Sequence, residues 1–455
     1  MPGPFRCRTS VSSDPVRIRC RAESGRVLAN KLGNQNKTTY PNFSPLNRQL
    51  KPRYPMKRKL IALGAFGVGL VGSVHAQNSV TLYGLLDDGF VYNSNAKGTR
   101  QYEMAAGNLE GNRWGLIGSE DLGGGLKAIF RLENGFNINS GALGQGGAMF
   151  GRRAYVGLSN EYGVATIGRQ YDALTSYMAR YTAGGAGGDG VVASWAGVYG
   201  VHPGDMDNLG GTNRTNNSVK IDTESFRGLQ AQAFYSFGNA AGNFTSNQTY
   251  SFATSYRSGP LDVGVAYDNV RDPNYALYGD NSNSNTATST SSLNMSSPVY
   301  SGFASAHTLQ IVAAGIGYQI GAFRLGTEYS NVQFQNIGTE SGTGLNPGKL
   351  SGTARFNIGE INAIYRATPA LQLGAAFAVT RGSSVGAISG AHYNQTDIGA
   401  DYALSKTTDL YAVGIYQLAS GHDSTGKVAV ATIANLTASN NNKQAAVTLG
   451  IRHRF

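Results

Sequence analysis

The chain has 455 residues, of which only 14% are charged and 62 are glycine, and its 25 tyrosines and 18 phenylalanines far outnumber its 2 tryptophans. A typical domain carries about 25% charged residues, and this composition excludes both a disordered chain and a coiled coil. The net charge of +11 arises in residues 1–76, because the rest of the chain has 24 Lys and Arg against 25 Asp and Glu, so no nucleic-acid partner is predicted.

Both cysteines, Cys7 and Cys20, also lie in residues 1–76. The remaining chain has no thiol, which excludes zinc–cysteine sites, disulfides and cysteine nucleophiles there.

Residues 56–76 have the three parts of a secretory signal peptide. Basic residues at 57–59 precede an apolar run at 60–74, and the small residue Ala76 ends the segment. We expect cleavage after Ala76 and a mature chain that begins at Gln77. The alternative is a transmembrane anchor, but the run has about 15 residues where a spanning helix needs about 20.

Residues 1–55 precede this complete export signal, are rich in Arg and Pro, and show no hydrophobic period. We interpret them as a spurious upstream extension that follows from a misassigned start. An Arg-rich organelle transit peptide is the alternative, and it would require two signals in tandem. The predicted organisation is therefore an extension at 1–55, a signal peptide at 56–76 and one barrel at 77–455.

After Gln77 the recurring pattern is alternation of apolar and polar residues over about ten positions, which is typical of β-strands. In residues 126–133 the charged Lys127, Arg131 and Glu133 share one face, which must meet water. The pattern predicts sixteen strands, at 79–92, 112–121, 124–135, 149–159, 162–170, 214–223, 228–237, 248–257, 261–269, 307–319, 322–332, 355–366, 370–380, 392–403, 409–418 and 443–454.

The connections between these strands alternate between tight turns and long polar segments, which is typical of an outer-membrane barrel. The long ones are 93–111, 171–213, 270–306, 333–354 and 419–442. A soluble β-sandwich is the alternative, but it seldom has so many strands of this length. The predicted fold is an all-β transmembrane antiparallel barrel of sixteen strands. A barrel of that size encloses an aqueous lumen, which indicates transport.

The final strand shows the two faces of this wall. Val447, Leu449, Ile451 and Phe455 share the parity expected to face lipid, and Arg452 has the parity of the lumen. The terminal aromatic is expected to lie at the membrane interface.

Several short sequence motifs occur together and in order. They are WGLIGSEDLGGGLKA at 114–128, AYVGL at 154–158, IGRQ at 167–170, NNSVK at 216–220, GADYALSK at 399–406, DLYA at 409–412 and GIRHRF at 450–455. This set resembles the trimeric general porins of Gram-negative bacteria, especially the non-enteric proteobacterial type, from Gln77 to Phe455. The resemblance implies a homotrimer in outer-membrane lipid that passes ions and small hydrophilic solutes passively. It also implies that the barrel-assembly machinery recognises Phe455, and it implies no cofactor and no metal site.

In that family the third long loop folds inward and narrows the lumen, with arginines of the wall facing acids of the loop. The segment in third place here is 171–213. The resemblance implies that the wall arginines are Arg113, Arg152 and Arg214, because of their positions relative to the matching motifs. Strand alternation lets only one of Arg152 and the adjacent Arg153 point inward, and the position relative to the motif favours Arg152.

The loop supplies Asp172, Asp189, Asp205 and Asp207 as candidate opposing charges. Glycines surround Asp189 and would let the backbone approach the wall closely. For Asp205 and Asp207 a role as solvated or turn-forming residues stays open. Three arginines against one or two acids predict a weak preference for anions, kept modest by Ile117, where many relatives carry a basic residue.

An enzyme is the first rival interpretation. The chain has no GxSxG elbow and no HExxH word, and residues 118–125 lack the Lys-Ser/Thr of a phosphate-binding loop. No enzymatic activity is therefore predicted. A substrate-specific outer-membrane channel or an adhesin-like barrel remains the alternative to a general pore.

Overall fold

The computed structural model describes residues 78–185, 195–279, 293–342 and 344–455. The predicted cleavage site at Ala76 and Gln77, the extension at 1–55 and Asp189 lie outside the described residues. The strands are β1 Ser79–Ala96, β2 Thr99–Ala106, β3 Arg113–Gly123, β4 Leu126–Gly135, β5 Arg153–Asn160, β6 Gly163–Gln170, β7 Thr215–Thr223, β8 Leu229–Ser236, β9 Thr249–Ser258, β10 Leu261–Arg271, β11 Thr308–Ile320, β12 Phe323–Ile337, β13 Gly352–Arg366, β14 Leu371–Gly382, β15 His392–Ala403, β16 Thr408–Ser420 and β17 Lys443–Arg454.

Every strand pairs antiparallel with its neighbours, and the ladder between β17 and β1 closes the sheet into a barrel. That ladder runs from the pair Leu85 and Arg454 to the pair Asn93 and Ala446. Closure satisfies the backbone groups that an open edge would leave unpaired in hydrocarbon.

The barrel has sixteen strand positions because β2 and β3 share one of them. Residues 88–96 of β1 pair with β2, and residues 79–85 of β1 pair with β3. The two are halves of one strand, interrupted at 107–112. The predicted sixteen-strand barrel is confirmed, but the predicted loop at 93–111 is wrong in part. It holds β2 and a tight turn in which Lys97 and Gly98 have φ of 53° and 103°.

Side chains alternate between the two faces of the wall, as the sequence predicts. In β17, Val447, Leu449 and Ile451 are 44–53% exposed, whereas Thr448 and Arg452 are buried. The exposed apolar face is the outer one, and we call the opposite parity the inner face.

The long connections carry short helices, among them α1 Ala173–Met178 and α2 Pro273–Ala276. No helix within the described ranges has the length and apolarity to cross a membrane. The largest apolar cluster packs residues of the long connections, such as Met178 and Phe303, against inner-face residues of the wall, such as Phe334 and Ile358. These connections are therefore packed against the barrel.

Candidate functional site

Segment 171–213 connects β6 to β7 and begins with the helix α1. Asp172 is the N-cap of α1, because its carboxylate accepts a hydrogen bond of 2.7 Å from the Thr175 backbone N–H. The same carboxylate accepts a bond of 3.0 Å from the Asn208 side chain, near the other end of the segment. Burial raises the pKa of Asp172. Its role is to hold the two ends of the segment together.

Three arginines surround the ring of Tyr171, the first residue of the segment. Arg214 donates to the Tyr171 hydroxyl at 2.5 Å and Arg152 donates to it at 3.3 Å. The guanidinium carbons of Arg153 and Arg214 lie 4.9 and 4.8 Å from the ring centre, within the range of cation–π attraction. Burial and the nearby Arg152 lower the pKa of Arg214 to about 10. The base of the segment thus concentrates positive charge.

Glu133 of β4 is the carboxylate that meets these arginines. It accepts hydrogen bonds of 2.8 Å from Arg152 and from Arg131, and Arg153 lies 3.8 Å away. Arg152 and Arg153 are each 2% exposed, and both reach Glu133. The expectation that only one of them points inward is wrong, because β5 begins at Arg153 and Arg152 precedes the alternating strand.

Glu110, in the interruption between β2 and β3, is the second carboxylate among the arginines. It pairs with Arg113, and with Arg452 and Arg454 of β17 at 3.1 and 3.3 Å. Arg113 is close enough to Arg152 for the two charges to repel. The predicted wall arginines Arg113, Arg152 and Arg214 are therefore brought together.

Asp205 and Asp207, the loop acids expected to face these arginines, have other partners. Asp205 accepts bonds of 2.8 and 2.9 Å from the backbone of Gly210 and Thr212, so it shapes a turn. Burial and the charge of Asp207 raise the pKa of Asp205 to about 6. Asp207 contacts His202 at 2.6 Å and accepts a bond of 2.7 Å from Ser330 of β12.

The middle of the segment is fastened to strands distant in sequence. The Tyr181 hydroxyl donates to Asp262 of β10 at 2.7 Å, and the Ala183 backbone N–H donates to Glu360 of β13 at 2.7 Å. Asn362 donates to the Tyr181 carbonyl at 2.7 Å. The segment therefore spans from β6 and β7 to β13.

Two pairs of glycines receive two of the aromatic side chains of the segment, Tyr181 and Trp195. Gly264 and Gly315 are direct partners of β10 and β11, and a Cβ on Gly264 would lie 2.8 Å from the Tyr181 hydroxyl. Gly374 and Gly399 are partners of β14 and β15 and lie under the Trp195 ring.

Larger residues at these glycines would occupy the space of the rings. Tyr181 and Trp195 are 1% and 5% exposed.

A cavity of about 380 Å³ lies beside Arg180 and Trp195 of the segment and the tight turns at 258–260 and 320–322. Four arginines and one aspartate line it, namely Arg180, Arg257, Arg324, Arg366 and Asp262. Asp262 lies 3.4 Å from Arg257 and 3.7 Å from Arg324. The cavity is therefore strongly positive.

Sequence reasoning missed Glu110, Glu133, Tyr171 and the arginines of the cavity as site residues. The alternation of β4 placed Glu133 and Arg131 on the wet face, which was a usable signal. Arg131 is also the direct partner of Ile117, so that face carries a basic side chain opposite Ile117. No pattern in the sequence marks Glu110.

Comparison with known proteins agrees with this architecture. A family model described as Gram-negative porin matches residues 60–422. An outer membrane porin protein of Bordetella pertussis is 29% identical over 427 residues, which cover 88% of this chain and 100% of the relative.

Two solved structures have the same fold. An anion-selective porin from Comamonas acidovorans aligns with a TM-score of 0.63 at 21% identity, over 83% of this chain and 100% of its own. The trimer form of the outer membrane protein OmpT of Vibrio cholerae aligns with a TM-score of 0.55 at 14% identity, over 83% and 99% of the two chains.

Proposed function

This chain belongs to the family of Gram-negative porins, and we propose that segment 171–213 forms the constriction of its channel and that the constriction prefers anions weakly. The chain is an outer-membrane porin, a closed β-barrel channel. Its permeants are ions and small hydrophilic solutes that diffuse passively. We assign it no enzymatic activity, in keeping with a family and a fold of channels.

The contacts of segment 171–213 support its role as the constriction. Its base is held among arginines near β5 and β7, and its middle is bonded to Asp262 of β10 and Glu360 of β13. The wall residues that it contacts have the inner-face parity. A segment attached to both sides of a ring of strands must cross the space that the ring encloses.

The observation that carries the anion preference is the excess of arginine in the cavity beside the segment. Of its four arginines, Arg257 and Arg324 share the single carboxylate of Asp262. Arg180 and Arg366 take part in no ion pair within the described ranges. No carboxylate offsets their charges within the described ranges, and the charges that line a narrow pore set its ion preference.

We test the preference by replacing Arg180 and Arg366 with serine together and measuring the reversal potential in a salt gradient across planar bilayers. The parent channel should be weakly anion-selective, and the double variant should shift toward cations with a higher conductance. The control is Arg100→Ser with Arg227→Ser, which removes the same charge from exposed positions in β2 and in the turn between β7 and β8. An equal shift in both double variants would refute the assignment.

We also propose that the protein is a homotrimer, inserted in outer-membrane lipid by the barrel-assembly machinery. The outer faces of β7 to β15 carry apolar hollows lined by residues such as Val265, Ile316 and Phe377. Such a surface is stable against lipid or against another barrel.

The alternative to a general pore is a substrate-specific channel. Such a channel would show a conductance that saturates with one solute.

A further inference from the structure

A buried cluster of one imidazole and three carboxylates lies where segment 171–213 meets β12 and β13. His202 and Asp207 come from the segment, Glu328 from β12 and Glu360 from β13. All four residues are 3% exposed or less. Ligand atoms of His202, Asp207 and Glu328 lie within 4.8 Å of one another. Oε2 of Glu360 is 3.3 Å from Nε2 of His202.

The orientation of the His202 ring is fixed from one side. Nδ1 lies 2.6 Å from Oδ2 of Asp207, and the same oxygen accepts a hydrogen bond of 2.7 Å from the Ser330 hydroxyl. When the neutral ring donates Nδ1–H to Asp207, Nε2 keeps its lone pair. A carboxylate on the far nitrogen is the usual support of a histidine that binds a metal ion.

Several buried polar atoms of the cluster lack a hydrogen bond within the described residues. Oδ1 of Asp207 and both carboxylate oxygens of Glu328 have no partner, and Nε2 of His202 and Oε2 of Glu360 face each other at 3.3 Å without one. Glu328 is 2% exposed, so its carboxylate lies away from the protein surface. Burying a carboxylate without a partner costs several kcal/mol in general. The unpartnered atoms therefore indicate a ligand that they share.

The charge of the cluster indicates a cation. Asp207, Glu328 and Glu360 are joined by Asp397 of β15, which is 1% exposed and interacts electrostatically with Glu360. One imidazolium could balance only one of four carboxylates. A divalent ion supplies positive charge and ligand bonds to several oxygens at once.

We propose that His202, Asp207, Glu328 and Glu360 bind one divalent transition-metal ion and thereby fasten segment 171–213 to β12 and β13. An imidazole with carboxylates suits Zn²⁺ and its neighbours in the first row. Ca²⁺ and Mg²⁺ prefer sites made of oxygen alone. The two pairs of ligands are 121 residues or more apart in the chain, so ion binding would cross-link the segment to the wall.

The test measures Zn²⁺ binding by calorimetry in detergent, on protein purified from the outer membrane and treated with a chelator. A second group, Asp272, His307 and Glu340, also lies close enough to bind a metal ion. Every variant therefore carries His307→Ala, so that the cluster at His202 is measured alone. We expect one Zn²⁺ per chain, and Glu328→Gln should weaken binding by about tenfold or more, as loss of a supporting group already does.

The matched control is Glu120→Gln, which removes an exposed carboxylate of β3 and should leave the affinity unchanged. Co²⁺ provides a second measurement, because its visible absorption should change when His202 is replaced by asparagine. Should Glu328→Gln fail to assemble, Glu360→Gln is measured with the same expectation. Failure of the parent to bind Zn²⁺, or equal affinity in the glutamine variants, would overturn the proposal and show that the buried acids hold protons instead.

Discussion

The fit of Trp195 over Gly374 and Gly399 allows a direct test of how segment 171–213 is held. A Cβ on Gly399 would lie 2.7 Å from Cε3 of the Trp195 ring, which is 0.7 Å short of the 3.4 Å where ordinary contact begins. The opposite glycine, Gly374, is also in contact with the ring. Gly399→Ala should therefore push the ring away from the wall.

The expected cost follows from the tightness of this contact. Overpacking by one methyl group in a close-packed region costs about 1–3 kcal/mol. Since about 1.4 kcal/mol corresponds to a factor of ten, the detached form of the segment should become about 5 to 150 times more populated. The barrel itself should remain intact, because glycine at position 399 has an ordinary strand partner in Gly374.

The chain has only two tryptophans, Trp114 and Trp195, so tryptophan fluorescence can report on the surroundings of Trp195. In a Trp114→Phe background all tryptophan emission comes from Trp195. Gly399→Ala should shift that emission to longer wavelength and increase the current noise of single channels.

The control is Gly359→Ala, because the nearest atom to a Cβ on Gly359 is 3.8 Å away, an ordinary contact. Unchanged emission and noise in Gly399→Ala would refute the view that the glycine pair seats the ring.

Three further predictions concern export, assembly and pH. N-terminal sequencing of envelope protein should begin at Gln77, and recovery of residues 1–55 on the mature protein would contradict it. Deletion of Phe455 should lower the amount in the outer membrane, because it removes the proposed assembly signal and two backbone bonds to Gly84 of 2.9 and 3.0 Å; normal amounts would contradict this role. Burial and the charge of Asp207 raise the pKa of Asp205 to about 6. The Asp205 carboxyl therefore binds a proton more tightly when segment 171–213 is attached to the wall than when it is detached. Attachment should weaken by up to roughly 3 kcal/mol as pH rises from about 4 to 6. Urea titration of Trp195 emission should show this slope in the parent, and the slope should be smaller in Asp205→Asn.

The wall of the barrel was predictable from the sequence because alternation is a local property. Lipid on one side and water on the other impose a period of two on every strand, and tight turns separate the strands. β2 was missed because it is half of an interrupted strand, and nothing local shows that it shares a position with β3. The count of strand positions was still correct.

The partners of the charged residues were not predictable in the same way. Glu110 meets Arg452 across 342 residues, and this contact exists only because the closing ladder brings β17 to β1. Asp172 and Asp205 were candidates to oppose the arginines, with a turn-forming role left open for Asp205, but each bonds to backbone N–H groups close by in the segment. Short-range hydrogen bonding of aspartate to its own loop competes with any long-range ion pair.

The ring order of the strands explains where the opposing charge lies. The arginine-rich side includes β4, β5 and Arg214 just before β7, and the buried acids Glu328, Glu360 and Asp397 lie on β12, β13 and β15. In a ring of sixteen positions, β12, β13 and β15 are eight positions from β4, β5 and β7 respectively, which is half of the circumference. We therefore expect a transverse field across the lumen between these two groups of charges, with the segment between them. Because a cation bound at the acids would cancel the negative side alone, Zn²⁺ should strengthen the preference of the channel for anions.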